Sequence, residues 1–228
     1  MAIQKQKGNM YSFVSHTWNP VKGLCSHECS YCYMSAMAKR FPVLNNPLRL
    51  NEKELKSKLG TGNFIFIGSS TDFFADDVPS DWIHKTLEHC RKYPDNKYLF
   101  QSKNPGRFVE FKESFPVNTV LGTTIETDHA SYEKLNISKA PGINDRVDAM
   151  ASMDGFERMV TIEPIIDFDL NSLSDQIRAC SPAWVNLGAD SGKNGLPEPG
   201  ADKVNALIDS LKTFTDIHCK DNLARLMG

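Results

Sequence analysis

Along the chain, short apolar and β-branched runs alternate with amphipathic stretches of helical period. The runs at 11–17, 63–69, 97–102, 118–125, 158–166, 184–189 and 215–219 predict strands. Several are apolar almost throughout, as in strands covered on both faces of a parallel sheet. Between them, 30–40, 80–92, 104–111, 145–153, 169–180 and 201–214 predict helices, with Ser30 as N-cap of the first. Each crossover has room for one helix. No repeat, low-complexity tract or linker divides the chain, so residues 1–228 read as one α/β domain with parallel strands.

An open doubly wound sheet and a barrel both satisfy this alternation. A complete eight-unit barrel takes about 250 residues, so a chain of 228 suits a partial barrel of six or seven units. In either architecture the chemistry gathers at the carboxyl ends of the strands. Polar residues recur there: Ser69, Ser70, Thr71 and Asp72, then Lys103, then Thr124, Glu126 and Thr127, then Glu163, then Asp190 and Ser191.

Composition narrows the class. The chain is 40% hydrophobic and 24% charged with a formal net charge of -2, which describes a globular protein without the global basic field of a dedicated nucleic-acid binder. Segments 39–58 and 85–112 are rich in Lys and Arg and read as solvated helix faces. The opening MAIQKQKGNM is not an apolar leader, and no run approaches the roughly 18 apolar residues of a membrane span. A cytoplasmic location is expected, and with it unpaired cysteines.

Three of the six cysteines, Cys25, Cys29 and Cys32, crowd into GLCSHECSYCY. An odd, close set suggests a metal centre, and thiolates bind zinc, iron–sulfur clusters and soft copper. A structural zinc site closes with four ligands; no second Cys or Cys–His pair has finger spacing, although His27 lies in the same loop. A [4Fe–4S] cluster normally takes four cysteines. Three would fix three irons and leave the fourth open to a small molecule. Cys90 and Cys180 read as core residues, and the other histidines are dispersed. GADSGKNG lacks the spacing of a phosphate loop.

The C-x3-C-x2-C spacing, with Tyr31 before the last cysteine, resembles the signature of the radical S-adenosylmethionine (radical SAM) enzymes. HTWNPVKGLCSHECSYCYMSAMAKRF is similar to the phage and bacterial branch related to spore photoproduct lyase, as are FIFIGSSTDFF, YLFQSKNPGRF, NTVLGTTIET, RMVTIEPII and WVNLGADSG. The resemblance implies a radical SAM core, a partial (β/α)6-type TIM barrel. It implies Cys25, Cys29 and Cys32 as ligands of a [4Fe–4S] cluster whose open iron chelates S-adenosylmethionine. Reductive cleavage would give a 5′-deoxyadenosyl radical for hydrogen abstraction. Tyr31 would lie near the adenine, Ser69, Ser70, Thr71 and Asp72 would hold the methionine ammonium, and Lys103 would meet its carboxylate. Thr124 and Glu126 would contact the ribose or sulfonium region, and Arg146 matches an arginine of relatives. Cys219, at the last strand's end, would relay a hydrogen atom. The implied partners are a flavodoxin- or ferredoxin-like electron donor and a nucleobase, nucleotide or nucleic-acid substrate, with no membrane. The rival reading is a non-catalytic iron–sulfur or zinc protein that binds a partner or nucleic acid.

Overall fold

The computed structural model describes residues 3–5, 10–41 and 46–228. Its strands are β1 (Gln4–Lys5), β2 (His16–Trp18), β3 (Val21–Lys22), β4 (Arg49–Leu50) and β5 (Phe64–Ile67). They continue with β6 (Lys97–Ser102), β7 (Thr119–Thr124), β8 (Glu157–Ile162), β9 (Trp184–Leu187) and β10 (Asp216–Cys219). The helices are α1 (Tyr33–Arg40), α2 (Ser80–Arg91), α3 (His129–Leu135), α4 (Ile143–Ala151), α5 (Leu170–Ala179), α6 (Ala201–Leu211) and α7 (Ala224–Met227).

One eight-stranded sheet runs in the order β1-β2-β5-β6-β7-β8-β9-β10, and β3 pairs with β4 apart from it. Only β1 joins this sheet antiparallel; every other neighbour pairs parallel. Strand order never reverses from β2 to β10, so the winding is that of a barrel and not of a doubly wound sheet with a switch point. The sheet ends at β1 on one edge and β10 on the other. It is a partial barrel, and no closed barrel forms among the described residues.

The period-2 alternation of side chains separates two cores. Ile65, Ile67, Tyr98, Phe100, Leu121, Val160, Ile162, Val185 and Leu187 join the larger core with Ile83 and Leu87 of α2, Val147 of α4, Leu173 of α5 and Val204 of α6. Leu99, Val120, Met159 and Trp184 face the opposite, concave side, with Phe64 and Phe66 packed against them. That side is filled by residues 10–14. The Phe13 ring lies 5.2 Å from the rings of both Phe64 and Trp184 and 6.0 Å from His218, with Tyr11 stacked on it at 5.3 Å. Further along the same face of the strands come Gln101, Thr124, Thr161 and Asn186, a polar layer towards the carboxyl end.

Several expected elements change. The strand at 11–17 reduces to His16–Trp18, because its aromatic half leaves the sheet to fill the concave core. The helix expected at 104–111 is a 3-10 helix over Pro105–Ser114, whose buried Pro105, Phe108 and Phe111 recur every three residues, the 3-10 period. The first helix begins at Tyr33, with Cys32 and not Ser30 at its N-cap; the Ser30 amide instead donates to Ile137 O. Sequence reading missed α3, although its Asp128 cap accepts from the Ser131 amide and Asn136 closes it in the left-handed region at φ +46°. In the basic segments, Lys85–Asp81 and Lys92–Glu88 are exposed i,i+4 pairs on α2, as expected of a solvated face, and residues 42–45 lie outside the described set. No helix among the described residues is long and apolar enough to cross a membrane.

The Phe74 ring is fully buried among Phe73, Phe100, Phe108, Phe111 and Phe115 and fastens the 3-10 helix to the sheet. Phe74→Ala is expected to cost about 3–5 kcal/mol, read as a lower urea midpoint with an unchanged slope.

Candidate functional site

The cysteine loop lies between β3 and α1 at the carboxyl end of the sheet. Gly23 opens it at φ +116°, where an added Cβ would stand 2.8 Å from the Leu48 Cα, so only glycine fits. Glu28 holds φ +46° and turns the chain back between Cys25 and Cys29. On one side the loop is tied to the turn after β5: Thr71 Oγ1 donates to Gly23 O at 2.7 Å, and His27 Nε2 lies 3.0 Å from Asp72 Oδ2. On the other side it is tied to the segment after α3, where Lys139 N donates to His27 O at 2.7 Å and Ser30 N to Ile137 O at 2.9 Å.

All three loop thiols are free and half-buried. Burial pushes Cys25 up to about 11, with the charges of Asp72 and Cys29 adding to it. Burial also raises Cys29, opposed by Lys103 and reinforced by Glu126 and Cys32. Each sulfur thus feels the next. Burial disfavours the charged forms of Cys25 and Cys29, a cost that a cationic metal centre would offset. Among the described residues, no group of three or more His, Cys, Asp and Glu converges to hold one metal ion. His27, the fourth donor of the zinc alternative, is 3% exposed and turned to Asp72. Three thiols on one loop are a soft donor set of the kind iron–sulfur clusters use.

Beside the loop lies a buried charge network. Glu126, just beyond β7, is fully buried; its Oε1 accepts from Tyr31 Oη and lies 3.2 Å from Lys103 Nζ, and its Oε2 accepts from Arg146 Nη1 at 2.9 Å. The guanidinium of Arg146, also fully buried, donates further to Pro141 O, Thr124 O and Tyr132 Oη. Lys103 stands over the Tyr31 ring at 5.2 Å. Burial alone would raise the Glu126 carboxyl, but Lys103, Arg146 and the Tyr31 hydroxyl hold it down at about 2.

A cleft of about 700 Å³ lies on the β1, β2 and β5 side of the sheet, lined by Lys5, Met10, Thr17, Asn19, Tyr33, Ser69 and Ser70 among others. Across the mouth, at the ends of β8 to β10, Glu163 accepts from Lys220 at 2.7 Å and Asn222 at 3.0 Å. Gly188 leaves room for this arrangement, since a Cβ there would stand 2.8 Å from the Glu163 carboxyl carbon and the side chain would have to shift.

The expected residues are thus brought together, with changes of part. Ser69 and Ser70 line the cleft. Thr71 is bound to the cysteine loop instead. Asp72, expected to hold an ammonium, has its oxygens occupied by His27, Ser102 Oγ and the amides of Lys103 and Phe74. It joins strand ends to the loop. Thr124 Oγ1 accepts from Gln101 in the polar layer. Cys219 is in register with Leu187 of the outer core, and burial raises its thiol, opposed by Lys212 of the α6 C-cap. Paired residues in a parallel ladder point the same way, so the thiol faces the helices and not the mouth, which does not suit a relay. Sequence reading missed Asn19, Ser138, Lys220 and Asn222. Of these, Lys220 and Asn222 carried a usable signal, a strand-end position like that of Lys103.

A family model described as "Protein of unknown function (DUF5131)" matches residues 9–199. No curated protein matches the chain in sequence. Solved structures of spore photoproduct lyase share its fold. One mutant form aligns with TM-score 0.66 at 10% identity, over 96% of this chain and 81% of that one. Another, "with bound AdoMet and dinucleoside spore photoproduct", gives 0.58 at 10% identity, over 93% and 66%. A complex with dinucleoside spore photoproduct gives 0.59 at 11%, over 92% and 64%. The chain therefore spans just under two thirds of the length of these ligand-bound forms.

The depressed Glu126 carboxyl makes stability depend on pH. Its stabilisation is complete above about pH 4.5, the unfolded value, and is lost as pH falls towards about 2. At 1.36 kcal/mol per unit this is about 3 kcal/mol. Glu126→Gln, which leaves Arg146 buried without its partner, is expected to cost about 3–5 kcal/mol at neutral pH. Urea unfolding from pH 5 to pH 2 should show the variant losing less further stability than the parent.

Proposed function

The chain belongs to the family described as proteins of unknown function (DUF5131), and we propose that it is a radical SAM enzyme with Cys25, Cys29 and Cys32 as ligands of a [4Fe–4S] cluster. One observation carries the reading: three free, half-buried thiols, Cys25, Cys29 and Cys32, on one loop at the carboxyl end of a partial barrel. The likeness to a lyase solved with bound AdoMet supports it at the level of fold.

When bound, the cluster supplies the electron that splits S-adenosylmethionine into methionine and a 5′-deoxyadenosyl radical able to take hydrogen from an unactivated carbon. The protein's part is to hold and orient. Ser69 and Ser70 offer oxygens to the methionine ammonium from the wall of the cleft. Lys103 engages Glu126 through one contact, and an ammonium has three donors. It can therefore also meet the methionine carboxylate while Glu126 fixes its position. Tyr31, held by its hydroxyl to Glu126, presents its ring beside Lys103 as a packing surface for the adenine. Glu126 and Arg146 act as the frame of this group, not as ligands.

The substrate is proposed to be a nucleobase or nucleotide, by analogy with the dinucleoside photoproduct bound to the structural relative. Electrons would come from a flavodoxin- or ferredoxin-like donor.

Anaerobic reconstitution with iron and sulfide should give a brown protein that, once reduced, forms 5′-deoxyadenosine from S-adenosylmethionine, detected by chromatography. Replacing Cys25, Cys29 and Cys32 together by alanine should abolish both the colour and the nucleoside. A parent protein that stays free of iron and sulfide sinks the proposal. One that holds a cluster but releases no nucleoside is a non-catalytic iron–sulfur protein.

A further inference from the structure

Ser138 sits where the chain, reversed by Asn136 after α3, runs back along the cysteine loop. Its neighbours are pinned there by two backbone bonds, Ser30 N to Ile137 O and Lys139 N to His27 O. Its side chain is 9% exposed and aimed at the loop. The hydroxyl oxygen accepts from Ala140 N at 3.1 Å, lies 3.0 Å from His27 O and lies 3.1 Å from Cys29 Sγ.

A hydroxyl has one proton and two lone pairs. Ala140 N–H takes one lone pair, so the proton must choose between His27 O and the sulfur. His27 O already accepts from Lys139 N at 2.7 Å. While Cys29 is a thiol, its S–H can donate to Ser138 and the Ser138 proton can go to His27 O. Once Cys29 is a thiolate, the anion is the stronger acceptor and has no proton to give. The contact then reverses: Ser138 Oγ–H donates to sulfur.

We propose that Ser138 is a positioning residue whose hydroxyl donates to the Cys29 ligand sulfur and raises the reduction potential of the cluster. This rests on the cluster assignment made above. Reduction adds negative charge to the centre, and a hydrogen bond to a ligand sulfur stabilises the more negative state. Burial keeps water from replacing the donor.

The test is an anaerobic redox titration of the reconstituted protein followed by electron paramagnetic resonance, for the parent, Ser138→Ala, Ser138→Thr and Ser138→Val. Thr and Val have matched shapes and differ in the hydroxyl. The Ala and Val variants should be harder to reduce, by up to about tenfold in the equilibrium, which is 59 mV more negative for one electron; Thr should stay near the parent. Equal potentials in all four at equal cluster content overturn the inference, even if thermal stability falls in Ala and Val, since the hydroxyl then only staples the loop to residues 137–140. Loss of the cluster from both Ala and Val with retention in Thr also overturns it, in favour of a role in assembly. If the parent takes up neither iron nor sulfide, the radical SAM reading fails as well, and metal analysis shows which of the two has failed.

Discussion

The carboxylate of Glu126 is the constraint on which the site depends. It is fully buried, so it must be met by partners, and those partners come from four separate parts of the chain: Tyr31 of the cysteine loop, Lys103 after β6, Arg146 of α4 and, through Arg146, Tyr132 of α3. A fully desolvated charge tolerates little error in their placement. Arg146 suits the position because its planar fork reaches Glu126, two carbonyls and a hydroxyl at once, which the compact ammonium of lysine could not do. The network therefore sets the distance between the barrel wall and the thiol-bearing loop.

Asp72 does the same work on the other flank. Its oxygens gather His27 from the loop with Ser102 and the Lys103 amide from the end of β6. Between these two carboxylates the loop is fixed at both sides, while its thiols stay half-buried. Rigid support under reactive groups is what a preorganised site requires.

Much of this was legible beforehand because it follows from local pattern. Lys97–Ser102 and Trp184–Leu187 announce themselves as short apolar runs, and the cysteines are close enough in sequence for spacing alone to carry meaning. Residues whose role depends on a distant partner were misread. Asp72 looked available as a ligand group, yet its partners lie 30 and 45 positions away. Residues 11–14 alternate like a strand, but their rings are worth more inside the curve of the sheet than along its edge. Ser138 lies 109 positions from Cys29 and in a stretch with no pattern of its own. Cys219 ends its strand as expected, but its pairing with Leu187 puts it on the outer face, which the sequence alone could not assign.

The aromatic filling at residues 10–14 has a geometric consequence. Phe13 joins the wall near β5 to Trp184 and His218 near the far edge, so the amino-end side of the curved sheet is stoppered by rings. Anything held against the concave face would thus rest on a floor of aromatic rings, with the polar side chains of Gln101, Thr124, Thr161 and Asn186 towards the carboxyl end above it.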